Sequence, residues 1–391
     1  MVVQKVTVDS PPHFRRSYVC FDALKRGWKA GCRPLIGIDG CFLKCPFKSE
    51  FLTVVGRDAN NQMFPIAWGH DIAIFDILSR VEHRNCARHM FAIWSGRKLG
   101  KSYEFDFWQI VKCVTERGWG ELCTTVEKKD KDAYDNLMRN SPKMWTRAFL
   151  GTTCKSDIID NNLCESFNSN IIEARFKSII RMLEDIRTKM MTRIVQKRKL
   201  YNRWKRNYGP LVKAKLDANK KDCVEWQLIW NGENGCELRK GRYQYTVDLS
   251  QSICSCRSWQ ISGILCAHIC AAMYHLGLQL DDYLHEYHHI ETCKKAYSFP
   301  MQPINGSHDW PKTGIELALP PIERKIPGRP KKNRRIAKDE PKKLKLDHLS
   351  RKGLLMTCTQ CGQQGHNKGF CTKGNKHVKQ VQCCSSLIYI E

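Results

Sequence analysis

Two compact sets of cysteine and histidine residues constrain the fold of this chain more than any other feature. Each set has three cysteines and one histidine, spaced C-x-C-x9-C-x-H in the first and C-x2-C-x4-H-x4-C in the second. The residues are Cys254, Cys256, Cys266 and His268, followed by Cys358, Cys361, His366 and Cys371. Zn²⁺ prefers four such ligands in a tetrahedron, and four protein ligands leave no position for a substrate. The sequence therefore predicts two closed, structural zinc sites.

The cysteine content favours metal binding over disulfide formation. The chain has 21 cysteines, an odd number. Its first ten residues lack the basic and then apolar pattern of a secretory signal, so we expect a reducing compartment, where clustered cysteines near a histidine are typical metal ligands. No apolar run reaches the roughly 20 residues of a membrane-spanning helix, and we therefore expect no membrane partner.

The charge balance indicates a polyanionic partner. Lys and Arg number 65 against 39 Asp and Glu, a formal net charge of +26. Such an excess neutralises phosphates and releases counterions, which makes DNA, and also single-stranded nucleic acid, the expected partner. The alternative is a basic surface with no dedicated ligand.

Residues 301–350 are dominated by proline, lysine and arginine, which predicts a disordered basic linker. A Gly-Arg-Pro run within it resembles the core of an AT-hook, which inserts arginine into the narrow minor groove of A·T-rich DNA. The basic run that follows is also typical of a nuclear import signal, and the two roles are compatible. The candidate DNA-binding residues are Gly328, Arg329, Pro330, Lys331, Lys332, Arg334 and Arg335. We expect a nuclear protein.

Local patterns divide the rest of the chain. Residues 34–68 alternate short β-like runs with turns, which predicts a three-stranded meander. Residues 101–206 are helical in pattern and end in an amphipathic helix with one apolar and one basic face. A predicted β-hairpin over 224–248, with an Asn-Gly turn, leads into the first zinc set. We assign no structure to the last twenty residues and interpret the apolar run 387–390 as a ragged end.

Each zinc set resembles a known module. The first, with Trp259 between its two ligand pairs, resembles the SWIM-type zinc finger. The second, with Gly362 and Gly365 in its ligand loop, resembles the retroviral-type CCHC zinc knuckle, a module that binds single-stranded nucleic acid.

The order of motifs resembles that of plant Mutator-like element (MuDR-type) transposases over roughly residues 15–375. The motifs are Gly-Ile-Asp-Gly-Cys-Phe-Leu-Lys at 37–44, Val-Gly-Arg-Asp-Ala-Asn-Asn at 55–61, Glu-His-Arg-Asn-Cys-Ala-Arg-His at 82–89, Asn-Asn-Leu-Cys-Glu-Ser-Phe-Asn at 161–168, the SWIM set, Gly-Arg-Pro and the knuckle. The resemblance implies an RNase H-like fold whose carboxylates bind two divalent ions for DNA strand cleavage and joining. It implies that Asp39 is the first catalytic carboxylate and Glu165 the last.

The chain departs from this family between the third strand and the Glu-His-Arg segment. Only Gly69 to Val81 lie where the family has a helix, a strand that ends in the second catalytic aspartate, and another helix. Asp76 could imitate that aspartate, but it lies too close to Glu82 to allow the missing helix. We therefore expect an incomplete carboxylate set and a sheet edge left uncovered.

A third, weaker candidate metal site is the Cys-x-x-His pair of Cys86 and His89. This pair could bind a metal ion or could belong to an ordinary polar turn. In isolation, the sequence does not separate these alternatives.

The predicted fold class is α+β, comprising a truncated RNase H-like transposase core with a helical insertion, a small SWIM ββα zinc module and a C-terminal zinc knuckle. The predicted segments are an N-terminal extension 1–33, a partial transposase domain 34–215, a SWIM domain 216–300, a basic linker 301–350, a knuckle 351–376 and a tail 377–391. The predicted function is zinc-dependent DNA binding without transposition. The alternatives are an active transposase, which would require Mg²⁺, a domesticated transcription regulator, and an RNA-binding protein that acts through the knuckle.

Overall fold

The computed structural model describes residues 2–4, 11, 13–45, 49–70, 82–96, 100–311, 319 and 386–389. These residues form a mixed α+β structure with two antiparallel sheets. The four knuckle ligands, the Gly-Arg-Pro run with its basic residues, and Asp76 lie outside the described residues.

A large sheet organises most of the described chain. Its strands are β1 (Val2–Gln4), β2 (His13–Cys20), β3 (Cys32–Phe42), β4 (Glu50–Asp58), β5 (Met63–His70), β6 (Glu82–Asn85) and, from the end of the chain, β11 (Ser386–Tyr389). Their order is β1-β2-β5-β4-β3-β11-β6, and every neighbouring pair is antiparallel. The predicted meander is present as β3-β4-β5. The segment treated as an N-terminal extension contributes β2 to this sheet.

Asp58, at the end of β4, ties the meander to the helices beside it. One carboxylate oxygen accepts the backbone N–H groups of Asn60 at 3.0 Å and Gln62 at 2.8 Å, which closes the tight β4-β5 turn. The other accepts the hydroxyls of Tyr201 at 2.6 Å and Tyr297 at 3.0 Å. Burial, and then the charge of Asp58, raises the pKa of both tyrosines, so they remain hydrogen-bond donors.

The interpretation of the last residues as a ragged end is wrong, because β11 is a central strand. It pairs with β3 on one side and β6 on the other, with Ser386 opposite both Ile38 and Asn85. Leu387 and Tyr389 pack into one hydrophobic cluster, and Ile388 on the opposite face packs into another. β3 is therefore not an edge strand, because the short strand β11 lies beside it, and β6 is the edge strand on this side of the described sheet.

Helices pack against both sheets, and three of them carry the candidate site residues His89, Glu165 and His268. They are α1 (Asp22–Gly31), α2 (Ala87–Ser95), α3 (Lys101–Lys112), α4 (Glu116–Lys129), α5 (Lys131–Met138), α6 (Asn162–Asn170), α7 (Ile179–Asn202), α8 (Pro210–Asp222), α9 (Ser258–Ser262), α10 (Ala267–His275) and α11 (Ile290–Ala296). Across the described residues, none of the helices is both long and apolar enough to cross a bilayer.

Helix α7 has the two faces that the sequence predicts. Met182, Ile186, Met190 and Ile194, at spacings of four residues, are buried against the large sheet. The opposite face carries exposed lysine and arginine side chains.

A small four-stranded sheet precedes the first zinc set. Its strands are β7 (Gln227–Trp230), β8 (Gly235–Lys240), β9 (Tyr243–Asp248) and β10 (Ile253–Cys254), in the order β10-β9-β8-β7. The sequence predicts a two-stranded hairpin here, whereas the structure has a further strand, β8, between its two arms. That strand has the period-2 pattern of a half-buried strand, with Cys236 and Leu238 buried between partly exposed or exposed polar residues.

Candidate metal centres

The predicted ligands of the first zinc set come from a strand end and a helix start. Cys254 ends β10, and Cys256 follows it in a tight turn. Arg257, directly after the turn, adopts a left-handed conformation with φ of 60°. Cys266 caps the N-terminus of α10, and His268 lies in its first turn. The chain therefore brings both ligand pairs to one point, as the spacing predicts.

The distances between these ligand atoms match the edges of a zinc tetrahedron. Cys254 Sγ lies 3.4 Å from Cys256 Sγ and 3.5 Å from His268 Nδ1, while Cys266 Sγ lies 3.8 Å from that nitrogen. All four ligand atoms lie within 4.8 Å of one another. Zn–S bonds of about 2.3 Å and Zn–N bonds of about 2.0 Å give tetrahedral edges of roughly 3.5–3.8 Å. The four atoms are thus already placed as a single zinc ion would require.

Two aromatic side chains that sequence reasoning did not single out orient the His268 ring. Trp226 stands edge-on to the ring at 4.2 Å between centroids, and Tyr245 lies against it at 4.3 Å. This packing turns Nδ1 toward the sulfurs. Both aromatics lie in or beside the strands before the cysteines, so an aromatic residue at such a position is the signal that could have identified them.

The thiols are arranged to share a negative charge. The pKa of Cys256 is lowered, first because the Cys254 thiol donates a hydrogen bond to it, and then by Cys266 and His268. The pKa of Cys254 is raised chiefly by its hydrogen bond to Cys256, and the pKa of Cys266 is raised chiefly by its hydrogen bonds to Cys254 and then Cys256. Because a zinc ligand must be deprotonated, binding of Zn²⁺ would release the remaining thiol protons.

Burial makes this centre a closed one. The exposed fractions of Cys254, Cys256, Cys266 and His268 are 0%, 6%, 5% and 7%. Four buried protein ligands leave no position for a substrate, so the arrangement suits a structural zinc rather than a catalytic one.

Arg257 connects this zinc centre to the helices before it. Its guanidinium donates to the carbonyl oxygens of Val114 at 3.1 Å, of Leu150 at 2.9 Å and of Ala148. The residue that follows the Cys-x-Cys pair is therefore anchored, which fixes the direction in which the chain leaves the metal. Sequence reasoning also missed this residue, because its partners are distant in the chain.

The structure brings the weaker candidate pair and the family carboxylates into one region. Cys86 and His89, at the start of α2, lie beside Glu165 of α6, and one ligand atom from each of these three residues lies within 4.8 Å of the others. The Cys86 thiol, followed by the charges of Glu165 and Asp39, raises the pKa of His89. Three of the predicted site residues therefore lie around a common point, and Asp39 is near enough for its charge to act on His89.

Helix α6 reaches this point because it packs closely on β3. A Cβ at Gly37 would lie 2.1 Å from Asn161 Oδ1 and 2.8 Å from Cys164 Sγ, so only glycine fits there. Asn161 donates its side-chain amide to the carbonyl of Ile38 at 2.7 Å. Asn168, further along α6, donates to the Asp39 carboxylate at 2.8 Å. The motif around Glu165 is thus fixed against the strand that carries Asp39.

Comparison with known proteins identifies one module. The family model of the SWIM zinc finger matches residues 245–277, which include all four ligands of the first zinc set. No curated protein and no solved structure matches the chain.

Proposed function

We propose that this protein is a zinc-dependent nucleic-acid-binding protein, with DNA as its partner in the nucleus. The observation that carries the proposal is the closed centre of Cys254, Cys256, Cys266 and His268, because it is a SWIM-type zinc site and has structural rather than catalytic geometry. The net charge of +26 supplies the attraction for phosphate. The predicted knuckle and basic linker would add a second zinc ion and further phosphate contacts.

The described residues offer a basic surface for this role. It extends along the exposed side of α7 and just beyond its end, and we name it the α7 basic face. Its members are Arg181, Lys189, Lys199, Arg203, Lys205 and Arg206, all exposed. Side chains at these positions can reach a phosphate backbone while the opposite side of α7 stays packed on the sheet.

We expect DNA affinity to fall steeply between low and physiological salt, and to fall further when the α7 basic face is reversed. Replacing Lys199, Arg203 and Lys205 by Glu should weaken binding and lower the slope of log affinity against log salt by roughly three, about one for each lost phosphate contact. Fluorescence anisotropy with a labelled duplex at several salt concentrations measures both quantities.

A matched triple variant, with Lys128, Lys131 and Arg139 replaced by Glu, makes the same change in net charge on exposed positions of α4 and α5 and just after α5. An equal loss in that variant would show that the α7 basic face is not the contact. Deleting residues 321–376 should also weaken binding, because it removes the basic linker and the knuckle. Salt-independent affinity would contradict the whole proposal.

We further propose that the large sheet derives from a Mutator-like transposase with an RNase H-like core. The antiparallel meander β3-β4-β5 supports this origin, as does β6, which runs parallel to β3 because both are antiparallel to β11. The packing of α6, with Glu165, against β3, with Asp39, also supports it.

We expect no Mg²⁺- or Mn²⁺-dependent cleavage or joining of DNA strands. A two-metal site shares its ions among several carboxylates, and the described neighbours of Asp39 and Glu165 include a thiol and an imidazole instead of a third carboxylate. Incubation with labelled DNA that carries the cognate terminal repeats is the direct assay. Cleavage that needs Mg²⁺ and is abolished by Asp39→Ala, Asp76→Ala or Glu165→Ala would show that the catalytic set is complete.

A further inference from the structure

We propose that Cys86, His89 and Glu165 bind an additional Zn²⁺ ion, in an open site distinct from the SWIM centre. The proposal starts from geometry: a thiol, an imidazole and a carboxylate from two helices converge with their ligand atoms within 4.8 Å. His89 Nε2 and Glu165 Oε1 are 3.8 Å apart. A tetrahedral zinc needs separations of roughly 3.5 Å, so a small side-chain adjustment completes the set.

Within this set Cys86 is held in place, whereas His89 and Glu165 can adjust. Cys86 is fully buried and precedes α2, where the backbone N–H of Asn161 already donates to its sulfur at 3.3 Å. His89 and Glu165 have side chains 38% exposed, so they can rotate toward an ion without disturbing the core. Nε2 is the ring nitrogen that faces Glu165, so it is the His89 atom that would bind the ion.

The ligand chemistry identifies the ion. Mg²⁺ binds oxygen ligands and rarely thiolates, whereas a mixed sulfur, nitrogen and oxygen set suits Zn²⁺. Glu165 then serves as a zinc ligand here and not as part of a two-magnesium centre. Three protein ligands leave one coordination position for water or for a phosphate oxygen of bound nucleic acid, in contrast to the closed SWIM centre.

Equilibrium dialysis of the full chain against micromolar free Zn²⁺ tests the site. Wild type should bind one equivalent more than each of Cys86→Ser, His89→Ala and Glu165→Gln. Glu165→Gln is the variant that should disturb folding least, because the side chain is partly exposed and glutamine has the same shape as glutamate. Cys154→Ser is the matched control: Cys154 is a buried thiol outside the set that donates to the carbonyl of Pro34 at 3.3 Å, a bond that a serine can keep.

Exposure gives a second readout. A chelator should remove this zinc faster than the zinc of the buried SWIM centre, so release should have a fast phase that is absent in Glu165→Gln. Equal zinc uptake by wild type and all three variants would overturn the proposal. Uptake that falls in Glu165→Gln but not in Cys86→Ser would also overturn it, because the ion would then be held by carboxylates alone. Neither result bears on the SWIM zinc or on DNA affinity.

Discussion

Replacing Cys266 by Ser should remove one Zn²⁺ per chain and unfold the small sheet with α10. In zinc-finger peptides the apparent binding free energy of a structural zinc is about 10–16 kcal/mol at neutral pH, and most of it is folding energy. Because Cys266 both binds the ion and starts α10, its loss separates the two ligand pairs. Elemental analysis gives the zinc content, and hydrogen exchange should show protection lost over 226–275 but retained in α7.

Cys270 provides the control for this experiment. It lies one helical turn after Cys266 on α10, is fully buried, and has its pKa raised to about 12 by burial, so it is a neutral thiol outside the metal set. Cys270→Ala should keep the full zinc content and cost only about 1 kcal/mol of stability, as the loss of a small buried group does. If both variants lose zinc equally, or neither does, the assignment of Cys266 as a ligand is wrong.

Replacing Tyr389 by Ala should destabilise the large sheet by about 3–5 kcal/mol. The side chain is 2% exposed, packs into the helical cluster beside α2, and donates its hydroxyl to the carbonyl of Ile158. Its strand is also the only described strand that joins β3 to β6. Denaturant unfolding followed by tryptophan fluorescence measures the change.

Tyr389→Phe separates packing from hydrogen bonding at the same position. It keeps the ring and removes only the hydroxyl, so we expect a loss of about 1 kcal/mol. Deleting residues 386–391 should be more damaging than either substitution, because it exposes the edges of β3 and β6 and promotes aggregation. A truncated chain as stable as the full one would show that β11 is not part of the sheet.

Local sequence patterns were enough to predict the features that depend on residues close together in the sequence. The spacing of Cys254, Cys256, Cys266 and His268 predicted a site whose ligand distances fit zinc, because each pair is fixed by a turn or a helix start. The alternation in 34–68 predicted the meander, and the spacing of apolar residues predicted α7. These patterns follow from the side-chain period of about two residues in a strand and about 3.6 residues in a helix.

Contacts between distant segments could not be predicted in this way. Leu387, Ile388 and Tyr389 are apolar in succession because the strand is buried on both faces, and so short a run carries no period. The proximity of Glu165 to Cys86 depends on how α6 packs on β3 at Gly37, which no local pattern specifies. The family resemblance suggested Glu165 as a functional residue, but it did not indicate a thiol as its neighbour.

The position of β11 also determines when the sheet can form during synthesis. β11 follows every other described strand in the sequence, and its Tyr389 bonds to a carbonyl 231 residues earlier. Until it emerges from the ribosome, β6 has no strand partner within the described structure. Contacts of such long sequence separation slow folding, and unpaired strand edges bind chaperones or other chains in the meantime. The nascent chain therefore carries an unfinished sheet until residues 386–389 have been synthesised.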